Sequence, residues 1–321
     1  METTIKANSE IVREYDRLFV NRGAYTLQSS RPHPESGRHC YFRPKAKGTD
    51  KELRLSADTI RRHLQGEITI GLYAINPATQ RSKWVAIDAD YVGAMEDLLK
   101  LQYSLQKDGV DAALEMSKRA GHLWIFMDRP ALARECRIYI HNLALQLGMR
   151  IMGIALAEGI EIFPKHDELR EGEFGNAIRG PLGIQRGANR RYWFYGADYD
   201  LEKQMAYLNR LRKVSEEQLQ SFVVNKAMPP EFERKRPVRD QSSVRGSLHE
   251  FRILEHVSKV RKVGRNYVTQ CPSCAEAGHD RSGDNLAISI EEPRKYICWA
   301  GCTKEMIRNA LGCPIPVRRS V

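Results

Sequence analysis

No apolar run in the sequence approaches the ~18 residues that a membrane-spanning helix requires, so no membrane partner is expected. The N-terminal stretch METTIKANSEIVREYDRLF lacks the apolar segment of a secretory signal. It reads instead as a helix with Ile11, Val12, Tyr15, Leu18 and Phe19 on one face. Internal repeats are lacking too. Acid is in deficit: 51 Lys and Arg face 40 Asp and Glu, for a net charge of +11. That imbalance favours a polyanionic partner through counterion release. Cysteine is scarce, with seven in all, and Cys271, Cys274, Cys298 and Cys302 crowd the C-terminal fifth. An odd number without a secretory signal points away from disulfides, toward a metal site and the reducing cytoplasm.

The length of 321 residues and a hydrophobic fraction of 42% suit two globular domains, or a large one and a small one. Up to about residue 225, strand-like and helix-like runs alternate. TIGLYAI (69–75), KWVAIDA (83–89), ALEMS (113–117) and HLWIFM (122–127) read as strands. GIEIF, NAIRG and RYWFY follow as shorter ones. Helices are predicted over 93–109, ending at Gly109, and over 129–148, with Pro130 in the first turn and Gly148 as the stop. LEKQMAYLNRL and SEEQLQSFV read as two more. The expected fold is α+β with a mixed sheet. Residues 228–247, rich in Pro, Ser, Gly and charge, read as a linker. The expected division is a catalytic domain over 1–227, that linker, and a small metal-stapled module over 248–321 that opens with a short helix, LHEFRILEHVSKV.

Asp88 and Asp90 end the apolar run KWVAIDADYVG. In a strand, residues two apart share a face, so the two carboxylates project together, with Trp84 and Ala86 beneath them. Neighbouring carboxylates repel and resist desolvation unless something compensates, and hard oxygen ligands suit Mg2+ or Mn2+. An Asp-x-Asp pair also serves simply as a strand cap. Downstream, SKRAGHLWIFM delivers Ser117, Lys118, Arg119, Gly121 and His122 in a small basic turn entering a strand. Such a turn offers backbone N–H groups, cations and an imidazole to a phosphate, although a lone histidine is more often a core residue. Glu161 again sits inside an apolar run, and Lys165 and Asp167 follow it. A third carboxylate near the first two would complete a two-metal site for phosphoryl transfer.

The ordered motifs AIDAD, SKRAGHLWIF, IEIFPKHDEL and GNAIRGPLG resemble those of the archaeo-eukaryotic primase superfamily, in its branch of primase-polymerases from mobile elements, phages and defence-linked operons. LFVNRGAYTLQ and IRRHLQGEITIGLYAI upstream are similar to that branch as well, so the resemblance spans roughly residues 15 to 200. It implies an α/β unit packed on a unit like an RNA-recognition motif. It implies that Asp88 and Asp90 are metal ligands for two Mg2+ or Mn2+ ions, and that Ser117 and His122 contact the phosphates of an incoming nucleotide. Glu161 fits the third metal carboxylate, with Asp167 as runner-up. Lys165, Arg179 and Arg186 are candidate phosphate or template contacts by charge and position. The implied activity is a DNA primase-polymerase working on single-stranded DNA with nucleoside triphosphates, with a replicative helicase as a candidate partner. A non-catalytic single-strand binder and a metal-dependent nuclease are the alternatives.

Cys271-x-x-Cys274 and Cys298-x-x-x-Cys302, separated by a β-rich stretch, read as a zinc ribbon with one structural Zn2+. His279 is an alternative ligand and Cys313 is spare. The stretch CPSC…GHDRSGDNL resembles zinc-binding domains of bacterial and phage primases, departing from them by one extra residue in the second pair. In those primases the ribbon helps initiation by holding template or the first nucleotide. Ten Lys/Arg against five Asp/Glu over residues 230–270 agree with such a role, as they do with a solvated linker.

Overall fold

The computed structural model describes residues 6–34, 37, 39–152, 158–232, 251–278, 280 and 283–314. The chain divides into two units, residues 1–235 and 236–321. In chain order the first unit runs α1 (Ser9–Phe19), β1 (Tyr25–Gln28), β2 (Tyr41–Phe42), α2 (Ala57–Gln65), β3 (Ile70–Tyr73), β4 (Arg81–Ala89), α3 (Ala94–Lys107), β5 (Ala112–Met116), β6 (Gly121–Leu132), α4 (Ala133–Gln146), β7 (Glu161–Phe163), β8 (Ala177–Arg179), β9 (Ile184–Gln185), β10 (Arg190–Arg191), α5 (Leu201–Arg210) and α6 (Glu216–Val223).

Two four-stranded sheets organise this unit. One has the order β2-β1-β3-β8 and the other β5-β6-β4-β7. The second is built from consecutive β-α-β-β-α-β elements, the split βαβ arrangement of RNA-recognition-type sheets. The α+β class expected from the sequence is the observed one. The ladders among the described residues are antiparallel, and parallel pairing is confined to the bridges Met127 to Val214 and Ile151 to Ile160.

The pattern of β4 explains its position at the middle of the second sheet. Trp84, Val85, Ala86 and Ile87 are all buried, so the strand is covered on both faces. Trp84 and Ala86 face a core shared with Trp124, Phe126, Tyr15, Phe19, Ile70 and Leu72. Trp84 packs edge-on against Trp124 at 5.0 Å, and its indole N–H donates to the Phe19 carbonyl at 2.8 Å. Val85 and Ile87 face the other core, where α3 contributes Leu98, Leu101 and Leu105 and α4 contributes Ile140. The helical spacing of those leucines is what turns one face of α3 onto the sheet. Helix α1 starts at Asn8, whose side chain accepts from the N–H groups of Glu10 and Ile11, and buries the five apolar residues expected of it.

Pro130 departs from expectation. It lies in β6 rather than in the first turn of α4, which begins at Ala133. The β4–β6 register breaks between Ser82 and Trp84, and Pro130 falls in the extra residues opposite that break, where a missing N–H costs no ladder bond. RYWFY is likewise less than a strand: β10 ends at Arg191, and Phe194 makes an isolated bridge to Glu115.

The turn after β8, Gly180-Pro181-Leu182-Gly183, packs onto buried Tyr15 and His63. A Cβ on Gly183 would lie 1.9 Å from the His63 ring, and one on Gly180 would lie 2.6 Å from the Tyr15 hydroxyl. The two glycines therefore allow backbone to press on side chains where any larger residue would be expelled.

In the second unit, β11 (Arg261–Val263), β12 (Asn266–Thr269), β13 (Leu286–Ser289) and β14 (Tyr296–Cys298) form one antiparallel meander. Two short helices, α7 (Pro272–Glu276) and α8 (Lys304–Ala310), accompany it, around a core of Ile253, Leu286, Ile288 and Ile307. The short helix expected at its start is a single 3-10 turn, Ile253–Glu255; residues 248–250 lie outside the described residues. Most of the expected linker, 233–247, and His279 also lie outside them.

His63 is fully buried. Its Nδ1 accepts from the Ile70 N–H at 3.3 Å, so Nε2 donates to the Pro181 carbonyl at 3.1 Å. Burial pushes its pKa down to about 4, and burial does the same to His141. With the folded value below the unfolded one of about 6.5, stability is fully present above pH 6.5 and is lost as pH falls toward 4. For His63 the loss by pH 4.5 is on the order of 2–3 kcal/mol, since each tenfold difference in proton affinity between the folded and unfolded chain is worth about 1.4 kcal/mol. Urea unfolding at pH 7 and pH 4.5 checks this: His63→Gln should lose less stability over the interval than the native chain, and equal losses would place the acid sensitivity elsewhere.

Candidate active site

Antiparallel register assembles the site. His122 is the direct partner of Asp88 across β6 and β4, Glu161 is the partner of Asp88 across β7, and Glu115 is the partner of His122 across β5. The four residues Glu115, His122, Asp88 and Glu161 thus form a single row across the whole sheet. Side chains of directly opposed residues lie about 4.5–5.5 Å apart at Cβ, close enough to interact. The row shares the face of Trp84, Ala86 and Trp124, at the end of β4 and the start of β6.

Within the row, Glu115 Oε2 accepts from His122 Nδ1 at 2.7 Å and from Trp124 Nε1 at 3.1 Å. Glu115 Oε1 accepts from Arg179 at 2.7 Å. His122 Nε2 lies 3.3 Å from Asp88 Oδ1. That contact has ion-pair distance without hydrogen-bond direction, and Asp88 Oδ1 is a buried oxygen with no hydrogen bond. Burial disfavours a charged His122, but Glu115 and then Asp88 overcome it and lift the imidazole to about 9. Burial would push the Glu115 carboxyl up; Arg179 and His122 outweigh it and hold it below the usual range. Asp88 follows the same logic, with His122 outweighing burial.

The row opens into a cavity of about 800 Å3, large enough for a nucleotide. Asp88, Asp90, Ser117, Lys118, Arg119, His122, Glu161, Lys165 and Arg179 all line it. Asp90 follows the strand and pairs with Arg119. Glu161 pairs with Lys165 at 2.6 Å. Ser117 closes a tight turn: its hydroxyl accepts from the Ala120 N–H, and its own N–H donates to the Ala120 carbonyl, both at 3.1 Å. Gly121 does not line the cavity. It lets β6 approach β5, because a Cβ there would lie 2.7 Å from the Glu115 carbonyl oxygen.

Two sequence candidates lie elsewhere. Asp167 pairs with the buried Arg137 of α4, so its charge is spent on packing the segment after β7. Arg186 donates to the carbonyls of Gly66 and Glu67, anchoring the start of the β9–β10 turn. Arg179 is in the cavity wall but 8% exposed and held by Glu115. Glu115 itself was missed in the sequence. Its signal was present, an acid inside the apolar run ALEMS, the same pattern that singles out Glu161.

Hard oxygen donors and an orphaned buried carboxylate oxygen fit a divalent cation. The oxygens of Asp88, Asp90 and Glu161 do not all converge within 4.8 Å; among the described residues, the four cysteines 271, 274, 298 and 302 are the group that does. Cys274 Sγ lies 3.5 Å from Cys298 Sγ and 3.3 Å from Cys302 Sγ. Four thiolates about 2.3 Å from one ion in tetrahedral array stand at nearly this separation, so the cluster fits a zinc ribbon. Asp280, buried, steadies the loop behind it by accepting from the N–H groups of Cys271 at 2.7 Å and Gly283 at 2.8 Å, with Asp284 and Asn285 a little longer. No helix among the described residues is long and apolar enough to cross a membrane.

Residues 32–222 match the family described as the archaeo-eukaryotic primase domain of the TOTE conflict system, and the chain belongs to that family. No curated protein matches it. Among solved structures, it is similar to the catalytic domain of the primase RepB′ in complex with initiator DNA, at 11% identity over 68% of this chain and 94% of that one, with a TM-score of 0.34. A second RepB′ primase structure is 12% identical over 68% of this chain and 62% of that one, with a TM-score of 0.33. The polymerase domain of Mycobacterium tuberculosis ligase D in complex with DNA is 10% identical over 68% of this chain and 87% of that one, with a TM-score of 0.27.

Gly121→Ala tests the strand approach beneath the site. The new methyl group meets backbone rather than a yielding side chain, so the expected cost is about 1–3 kcal/mol in urea unfolding. An unchanged midpoint would mean that β5 and β6 tolerate separation at this point.

Proposed function

We propose that the chain is a template-dependent nucleotidyltransferase, a DNA primase-polymerase that joins nucleoside triphosphates on a single-stranded DNA template. One observation carries the reading: the in-register row Glu115–His122–Asp88–Glu161 opening on a cavity rimmed by Ser117, Lys118, Arg119 and Lys165. Acids suited to divalent ions stand beside cations suited to a triphosphate. A protein that merely bound DNA would gain nothing from buried acids that repel phosphates, and family membership supports the same reading.

Asp88, Asp90 and Glu161 would hold two Mg2+ or Mn2+ ions. Such ions, when bound, lower the pKa of an attacking 3′-hydroxyl and neutralise the departing pyrophosphate. The remaining work falls to the chain's own residues. The Ser117–Gly121 turn and Lys118 receive the triphosphate, and His122 presents its Nε2–H to it. Arg119 and Lys165, paired with Asp90 and Glu161 here, are free to turn to phosphate once those acids are engaged. The strand core below keeps Asp88 in place, so it needs no reorganisation during reaction.

In the second unit, Cys271, Cys274, Cys298 and Cys302 would hold one structural Zn2+, and the unit would assist initiation by holding template or the first nucleotide. A replicative helicase is a candidate partner.

Asp88→Ala with Asp90→Ala should abolish synthesis and spare template affinity. The measurement is incubation with single-stranded DNA, Mg2+ or Mn2+ and labelled nucleotides, alongside a DNA-binding titration. Near-native synthesis by the double variant would remove the two acids from the mechanism, and degradation of the template by the native chain would make the protein a nuclease. Cys271→Ser with Cys274→Ser should lower zinc from about one ion per chain to near zero, one ion being what four thiolates hold. It should leave extension of a supplied primer intact and impair initiation without one. Unimpaired initiation would assign the second unit another role.

A further inference from the structure

Glu115 is a fully buried carboxylate beside the indole of Trp124, a member of the first hydrophobic core. Stability alone does not account for it. Burying an ion costs several kcal/mol, and replacing a buried ion pair by apolar side chains of similar volume is often neutral or stabilising. What its charge achieves is visible in its contacts. A carboxylate only accepts, so the contact with Glu115 Oε2 requires His122 to carry a proton on Nδ1. The ring is thereby turned so that Nε2 points toward Asp88 and the cavity.

The other oxygen does the same for Arg179. Its guanidinium is held by Glu115 at 2.7 Å, by the Gly180 carbonyl at 3.2 Å and over the Tyr192 ring at 5.7 Å. Two N–H-bearing side chains thus stand side by side in one wall of the cavity, each held by a different oxygen of the same carboxylate. Trp124 Nε1–H, at 3.1 Å, fixes the carboxylate from below.

We propose that Glu115 is a positioning residue for nucleotide binding: a buried anion that sets the orientation of His122 and Arg179 toward the triphosphate without touching it. The proposal rests on the nucleotidyltransferase reading above for the identity of the ligand.

Two variants of the full chain test it. Glu115→Gln keeps the shape but turns an amide N–H2 toward donors, and Glu115→Met removes charge and polarity together. Both should weaken binding of a deoxynucleoside triphosphate, measured calorimetrically, by about tenfold or more, the scale of loss when a hydrogen-bonded partner that orients a metal-ligating side chain is removed. In steady-state synthesis the change should fall mainly on KM. The 15N resonances of the His122 ring should also move, because Nδ1 loses its carboxylate acceptor; the readout that a purely structural role would not give is the KM-weighted loss in a variant that melts like the native chain. Thermal melting accompanies each measurement. A variant that melts like the native chain yet binds nucleotide poorly supports positioning. If either folded variant binds nucleotide with native affinity, the proposal is overturned. Binding and resonance shifts need no turnover. Should the native chain bind nucleotide but join none, the polymerase reading falls and the positioning role stands; native affinity in the variants has the opposite consequence.

Discussion

The site depends on the antiparallel register of β4 with its two neighbours. A shift by one residue would turn Asp88 to the opposite face and replace it with Ile87. Burial prevents that shift. Trp84 and Ala86 are committed to one core, Val85 and Ile87 to the other, and each large side chain contributes about 1.5–3 kcal/mol when fully buried. The energy that fixes the register is apolar and lies below the site. The polar groups at the strand end inherit their positions from it. This is how a fold can hold repelling carboxylates close together without relying on them for stability.

Charge is balanced across the cavity by alternation. Along the sheet row, acid and imidazole alternate from Glu115 to Asp88, and the outer acids Asp90 and Glu161 meet Arg119 and Lys165. The inner pairs are buried and weakly screened, so they hold their geometry. The Asp90–Arg119 pair is exposed, where an ion pair is worth about 0–1 kcal/mol and exchanges partners readily, while Glu161–Lys165 is half-buried. A firm interior with an exposed pair at its edge is what the proposed triphosphate ligand would require.

The second unit solves a different problem. Its described core is small, with four apolar residues buried among three buried cysteines. A module of that size needs a staple, and the four converging sulfurs supply the place for one. The extra residue in the second cysteine pair is accommodated: Cys302 Sγ stands 3.3 Å from Cys274 Sγ. Asp280 spends its carboxylate on backbone N–H groups, which gives the resemblance of the GHDRSGDN stretch a physical content.

The sequence by itself determined the features that depend on residue type and short spacing. The two-sided apolar pattern of β4, the Asp88–Asp90 pair, the basic turn before His122, the helical stripe of α3 and the cysteine pairs are all local, and local geometry decides where such side chains point. Tertiary structure decided which charged groups meet. Glu161 and Asp167 are six residues apart and equally acidic on paper. Pairing of β7 with β4 brings the first beside Asp88, while α4 claims the second through Arg137. Arg179 and Arg186 likewise look alike in the sequence, yet one reaches Glu115 and the other holds a turn. Glu115 stood unremarked in ALEMS because its meaning lies in its partners, which come from β6 and β8. Long-range pairing carries no local signature: a carboxylate's role is set by the cations and N–H groups that the fold brings within about 3 Å of it.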